Sequence, residues 1–178
     1  MREIIESGFR FRLPEAECFR LSENVTYQSL SGRNLKEMDI GWWRSTERKL
    51  FFIELKGAEI WENFRKSPDQ AHEYLVKSLN KKTTDVLLML TAMWSGTKIG
   101  ETLKSGVPEA VHDYIGDGNL KFIFLIDTPV SHKALYAPIK DAINKALAGR
   151  MQLFGVNRVT LLDFDLAQKL GLPVERIN

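Results

Sequence analysis

The sequence predicts a single α/β domain in which a mixed central β-sheet is flanked by helices on both faces. Segments with strand composition alternate with segments of helical periodicity after residue 38, which is typical of a sheet covered by helices. A strand at residues 50–56 is apolar on both faces, as central strands are. The length of 178 residues corresponds to about one domain, so we expect residues 1–178 to form one unit.

Composition excludes several classes of protein. A single cysteine, Cys18, rules out an internal disulfide framework and a cysteine-rich zinc module. The three histidines (His72, His112 and His132) are scattered, which argues against a histidine metal site. The longest apolar run, residues 86–90, is too short to cross a bilayer. The first twelve residues lack the apolar core of a signal peptide, so we expect a cytoplasmic protein with no membrane association.

The first 35 residues give weak signals. Residues 3–6 are compatible with a short helix, and residues 18–21 and 25–30 have strand composition. The following stretch is clearer, because residues 38–44 and 50–56 are both rich in aromatic and branched residues and flank a polar segment. They predict a β-hairpin that ends before Gly57.

A helix is predicted to follow the hairpin. Ser67 suits the N-cap, Pro68 suits the first helical position, and Gln70 would complete a capping box. Apolar residues then recur at helical spacing, which predicts a helix over residues 68–81. A second helix is expected over 85–94, where a strand is the alternative. The rest of the chain predicts a strand over 120–126, a helix over 131–148, a strand over 158–162 and a helix over 163–170.

Charged residues at the end of the second hairpin strand contradict its buried pattern. Glu54 and Lys56 share a face with Leu50 and Phe52. Burying charges is costly unless they are paired or bind a metal. A conflict between pattern and residue type of this kind indicates a functional site.

The hairpin register brings a second carboxylate to the same place. If Ser45 faces Arg48 across the turn, Asp39 faces Glu54 with Cβ atoms about 4.5–5.5 Å apart. Two opposed carboxylates repel each other unless a cation lies between them, and hard oxygen ligands suit Mg²⁺ or Mn²⁺. Lys56, about 7 Å further along the same face, could hold a water molecule or offset the charge of a phosphate. The alternative is an accidental triplet that includes a surface ion pair.

The predicted helix after the hairpin offers groups that could contact a phosphate backbone. Gln70 and Tyr74 are four residues apart and share one helix face, which Lys77 and Lys81 extend. The alternative is that Tyr74 belongs to the core, that Gln70 only caps the helix, and that the lysines are a solvated face.

Together these elements resemble the PD-(D/E)xK nuclease superfamily. The similarity covers residues of about 38 to 75, and its last element is similar to that of the RecB-like branch. The matching residues are Asp39, the run Glu54-Leu55-Lys56 fifteen positions later, and Gln70 with Tyr74 in a Q-xxx-Y pattern. Met38 stands where the proline of the family name would be.

The resemblance implies a restriction-endonuclease-like fold and a nuclease that hydrolyses phosphodiester bonds with Mg²⁺ or Mn²⁺, with DNA favoured over RNA. A homodimer is compatible with it, since many members of the superfamily dimerise. The alternative function is a non-catalytic module of the same fold that binds nucleic acid or protein.

The resemblance also implies roles for individual residues. Asp39, Glu54 and the Leu55 carbonyl would be metal ligands, and Lys56 and Gln70 would be catalytic. The family often has a further acidic residue on an N-terminal helix, for which Glu3 and Glu6 are the candidates. Nucleic acid would contact the later helix residues Tyr74, Lys77 and Lys81.

Overall fold

The computed structural model describes residues 1–177, so Asn178, the last residue of the predicted domain, lies outside the described part. The strands are β1 (Arg2–Glu6), β2 (Phe9–Leu13), β3 (Cys18–Phe19), β4 (Ile40–Arg44), β5 (Lys49–Lys56), β6 (Leu120–Ile126), β7 (Thr160–Leu162) and β8 (Val174–Arg176). The α-helices are α1 (Val25–Ser31), α2 (Ile60–Lys66), α3 (Pro68–Trp94), α4 (Lys98–Leu103), α5 (Tyr136–Gln152) and α6 (Phe164–Lys169).

The fold is mixed α/β, as predicted. A five-stranded sheet has the order β3-β4-β5-β6-β7, in which the first three strands pair antiparallel and the last three pair parallel. The predicted central strand, β5, therefore lies between β4 and β6. A second, antiparallel sheet has the order β1-β2-β8 and was not predicted.

Different layers cover the two faces of the large sheet. Helices α3 and α5 pack on the face that carries Leu50 and Phe52 of β5. The small sheet and the short helix α6 pack on the face that carries Ile53 and Leu55. The prediction of helices on both faces is therefore right for the first face. It is only partly right for the second, because most of that cover is β-structure.

The hairpin and the C-terminal elements agree best with the sequence. Strands β4 and β5 pair through a turn at residues 45–48, and β6 has the predicted bounds. Helix α6 begins after Asp163, whose carboxylate accepts a hydrogen bond from the Leu166 N–H at 2.8 Å. The predicted helix over 131–148 starts later, at Tyr136, after a 3₁₀ segment over Val130–Leu135.

The N-terminal predictions are wrong. Residues 3–6 form strand β1 instead of a helix, because the left-handed Ser7 and Gly8 turn the chain back into β2. Residues 25–30 lie in helix α1 instead of a strand, because the Asn24 side chain caps the helix by accepting from the Tyr27 N–H at 3.2 Å. Of residues 18–21, only the first two form a strand.

The two helices predicted between residues 68 and 94 are one 27-residue helix, α3. No glycine or proline occurs between Pro68 and Gly96, so nothing ends the first helix where it was predicted to end. Ser67 is the N-cap, but its side chain makes no capping hydrogen bond, so the predicted capping box is not formed. The Ser67 N–H instead donates a hydrogen bond of 2.9 Å to the Asn63 carbonyl, at the end of helix α2. Among the described residues, no helix combines the length and the apolar character needed to span a membrane.

Candidate active site

The hairpin holds the two predicted carboxylates opposite each other. Ile40 pairs with Ile53, so Asp39, just before β4, lies opposite Glu54, as the predicted register requires. The Asp39 Oδ2 atom accepts a hydrogen bond from the Leu55 N–H at 2.7 Å. The Asp39 side chain therefore accepts a hydrogen bond from β5 beyond the end of the paired segment of β4. This hydrogen bond fixes the position of the carboxylate.

A lysine from α3, which the sequence reasoning missed, lies between these carboxylates. The Nζ atom of Lys82 donates to both oxygens of Glu54, at 2.6 and 2.7 Å, and lies 3.7 Å from Asp39 Oδ1. The sequence signal for Lys82 is its spacing. It follows Leu79 by three positions and precedes Val86 by four, so it falls on the apolar stripe that faces the sheet.

Glu54 is an ionisable group in the core of the protein. Its side chain has no exposed surface. Burial raises the pKa of Glu54, the nearby Asp39 carboxylate raises it further, and Lys82 and Lys56 act in the opposite direction. The two ammonium groups thus offset much of the cost of a buried carboxylate.

Lys56 lies at the end of β5, between the carboxylates and solvent. Its Nζ atom is 2.8 Å from Glu54 Oε1, and its side chain is 28% exposed. Burial lowers the pKa of Lys56, but the Glu54 charge and hydrogen bond outweigh it and leave the pKa above its ordinary value. Lys56 is therefore protonated at neutral pH, when it can donate hydrogen bonds and stabilise an anion but cannot act as a base.

The main chain supplies a third oxygen near Asp39. In a strand, the N–H and C=O of one residue point toward the same neighbouring strand, so the Leu55 carbonyl points to the edge where Asp39 binds the Leu55 N–H. Strand β4 has ended there, and the carbonyl accepts a long hydrogen bond, 3.3 Å, from Ser7 Oγ. Two carboxylates and a carbonyl fit Mg²⁺, which usually keeps several waters and takes few protein ligands. Within residues 1–177, no group of three or more His, Cys, Asp or Glu side chains is placed to hold a metal ion.

A basic cavity of about 460 Å³ opens beside Lys56. Among the described residues, its lining includes five lysines and no acidic residue. The lining residues are Lys36, Lys56, Tyr74, Lys77, Ser78, Lys81 and Lys82. All three residues predicted to contact nucleic acid therefore share one cavity with Lys56. Tyr74 is 73% exposed, so it does not belong to the core.

The lysines of this cavity differ in their partners. Lys81 binds Asp85 at 2.8 Å, whereas Lys77 is exposed and forms no ion pair with the side chains described in residues 1–177. Lys77 is therefore the more available of the two for an incoming anion.

Gln70 lies apart from the carboxylates. It is exposed and lines a neighbouring cavity of about 390 Å³, which shares Tyr74 with the basic cavity. Twelve residues separate Gln70 from Lys82, or about 18 Å along the helix axis at 1.5 Å per residue. The structure does not place Gln70 in the cavity of Lys56, and its catalytic role stays a prediction.

The acidic residues expected on an N-terminal helix are not on a helix. Glu3 and Glu6 lie in strand β1, where Glu3 binds Arg12 at 3.2 Å and Glu6 binds Arg20 at 3.1 Å. A different acid, Glu37, lies two residues before Asp39. Burial raises the pKa of Glu37, with a smaller contribution from Asp39. No sequence signal indicated Glu37, because it precedes the hairpin in a segment without periodicity.

Comparisons of the chain with protein-family models, with curated proteins and with solved structures found no match.

Proposed function

We propose that this protein is a nuclease that hydrolyses phosphodiester bonds with Mg²⁺ or Mn²⁺, with DNA as the favoured substrate. The observation that carries the proposal is the pairing of Asp39 and Glu54 across the hairpin, with protonated Lys56 beside Glu54 at the mouth of a cavity lined by lysines. The carboxylates and the Leu55 carbonyl would hold the ion. When bound, a divalent cation supplies an activated water molecule and polarises the scissile phosphate.

Lys56 has the central role among the chain's own groups. Its ammonium lines the cavity that a phosphate would enter and is held by Glu54 at 2.8 Å. In this position it can orient the attacking water and stabilise the negative charge that develops on the phosphate. Because Glu54 raises the pKa of Lys56, the ammonium keeps its charge throughout the neutral range.

The rest of the cavity suits a nucleic-acid chain. Lys77 and Lys36 can neutralise backbone phosphates, which gives salt-sensitive affinity that does not depend on sequence. Tyr74, with its ring exposed at the cavity wall, can stack on a base. Proteins that bind single-stranded nucleic acid without sequence preference combine a basic groove with aromatic side chains on which bases stack.

The architecture supports a restriction-endonuclease-like fold. The resemblance implies a four-stranded mixed sheet flanked by helices. The large sheet has the mixed pairing and the hairpin, and its fifth strand is the two-residue β3 at the edge. The proposal that the fold belongs to this class rests on that correspondence.

The direct test is incubation with end-labelled single- and double-stranded DNA and RNA, with Mg²⁺ or Mn²⁺, against an EDTA control. Cleavage that requires the metal and is lost in Asp39→Asn supports the proposal. Cleavage that persists in EDTA, or is unchanged in Asp39→Asn, contradicts it.

Asp39→Asn is expected to weaken Mn²⁺ binding by about tenfold or more, because one of two carboxylate ligands loses its charge. The asparagine oxygen can still accept the Leu55 N–H that Asp39 binds at 2.7 Å, so thermal unfolding should change little. Titration calorimetry measures the affinity, and Asp165→Asn, an exposed aspartate on α6, is the matched control. Equal Mn²⁺ affinity in the wild type and Asp39→Asn would show that Asp39 is not a ligand.

Lys77→Ala is expected to reduce the salt dependence of oligonucleotide binding, by about one unit of slope if the lysine neutralises one phosphate. The slope comes from fluorescence anisotropy at several salt concentrations. Lys145→Ala, an exposed lysine on α5, is the control and should keep the wild-type slope. If both variants kept that slope, Lys77 would not contact the backbone.

One observation favours the alternative function, a non-catalytic module that binds nucleic acid. Lys82 and Lys56 already balance the charges of Asp39 and Glu54, so the site is neutral in the described structure. For such a module we expect oligonucleotide binding without Mn²⁺ binding. Calorimetry with Mn²⁺ alone therefore separates the two functions.

A further inference from the structure

We propose that Lys82 gates the metal site, because its ammonium occupies the carboxylates that a divalent cation needs. This inference rests on the proposed metal-dependent function. It assigns to Lys82 the role of setting when the ion can bind.

The contacts of Lys82 define the competition. Its Nζ atom binds both oxygens of Glu54, at 2.6 and 2.7 Å, and lies 3.7 Å from Asp39 Oδ1. Glu54 is fully buried, and Lys82 engages both of its carboxylate oxygens. A cation that bridges Asp39 and Glu54 must therefore displace the ammonium.

The net charge of the site also disfavours a bound divalent cation while Lys82 is in place. The charges of Asp39, Glu54, Lys56 and Lys82 sum to zero, so adding a divalent ion would leave two uncompensated positive charges beside the three further lysines of the cavity. Repulsion between like charges is strong at this depth, where the effective dielectric constant is lower than in water. If the Lys82 ammonium moves away from Asp39 and Glu54, one of the two excess positive charges leaves the site.

The basic cavity provides space into which the Lys82 side chain can move. Its side chain is 18% exposed and lines the basic cavity, so rotation of its four-carbon stem can carry the ammonium from Glu54 toward solvent. A nucleic-acid phosphate in the cavity would offer the ammonium new anionic partners. Substrate entry would then open the metal site.

The test is Mn²⁺ titration calorimetry at pH 8 on the full chain, comparing the wild type with Lys82→Met, which keeps a stem of similar length without the charge. Lys81→Met is the matched control, because Lys81 lines the same cavity and binds a carboxylate, Asp85, outside the pair. Lys82→Met should bind Mn²⁺ about tenfold more tightly. Lys81→Met should stay within about twofold, since it loses only a more distant charge.

Two calorimetric outcomes overturn the proposal in different ways. If folded Lys82→Met bound Mn²⁺ no more tightly than the wild type, the proposal that Lys82 gates the site would be wrong. The proposed nuclease activity would not be affected. If neither the wild type nor any variant bound Mn²⁺, the proposed metal site, and with it the proposed function, would be contradicted.

A second measurement needs only the wild-type chain. The NMR signal of the Lys82 ammonium should shift or broaden when Mg²⁺ saturates the protein, while that of Lys81 should not. A Lys82 signal that stayed unchanged while calorimetry showed Mg²⁺ binding would overturn the gate even if Lys82→Met did not fold.

Discussion

Lys56→Ala is expected to lower the rate of cleavage by about two to three orders of magnitude, the loss typical of removing one group that stabilises charge in a transition state. Lys56 lies 2.8 Å from Glu54 and lines the cavity that would receive the phosphate. Because Lys82 still neutralises Glu54 in this variant, the fold should largely be kept, and the Mn²⁺ affinity should not fall.

Single-turnover cleavage of end-labelled DNA measures this loss, and calorimetry measures metal binding in the same samples. Lys49→Ala is the matched control. Lys49 begins the same strand, β5, and binds the exposed Glu47 at 2.8 Å, so its loss should leave the rate unchanged. A wild-type rate in Lys56→Ala would exclude Lys56 from the reaction.

Lys82→Met is expected to destabilise the protein by about 3 kcal/mol at pH 8, as removing one partner of a buried ion pair does. The loss should be much smaller near pH 4. Burial and Asp39 already raise the pKa of Glu54 above its ordinary value of 4.5, and losing Lys82 raises it further. An acid whose pKa is higher in the folded state stabilises the fold most below its unfolded pKa, and this stability is lost as pH rises through the folded pKa.

Urea unfolding at pH 4, 6 and 8 measures this dependence. In Glu54→Gln the titrating carboxyl is absent. Adding Lys82→Met to that variant should therefore change the free energy of unfolding by the same amount at pH 4 and at pH 8. An equal loss of stability at all three pH values would mean that Lys82 stabilises the protein by packing alone.

The parts of the site that the sequence predicted correctly are local. The register of β4 and β5 depends on a four-residue turn and on alternating side chains, such as Trp42 and Trp43, which pack on opposite faces of the sheet. Once that register is fixed, the opposition of Asp39 and Glu54 follows directly.

The parts that were missed depend on contacts between distant segments. Lys82 reaches Glu54 only because α3 packs across β5, and the sequence reasoning ended that helix at residue 81. Strand β1 was mistaken for a helix because five residues carry little periodicity, and β2, its partner, is held in turn by β8 from the other end of the chain. Gln70 was predicted to face the metal because it shares a helix face with Tyr74, but that spacing does not fix how far along α3 the carboxylates lie.

The uninterrupted helix α3 also confines rearrangement of the site to its side chains. Its 27 residues carry the cavity wall and much of the core, with Leu75, Leu79 and Val86 fully buried, so this wall has no hinge about which it could swing. Transfer of Lys82 from Glu54 to another anion therefore needs only rotations about side-chain bonds. Such rotations occur within about picoseconds to nanoseconds when a side chain is exposed, whereas closing segments need about microseconds to milliseconds. Entry of the ion should then be timed by its own dehydration and diffusion, with no slow backbone step.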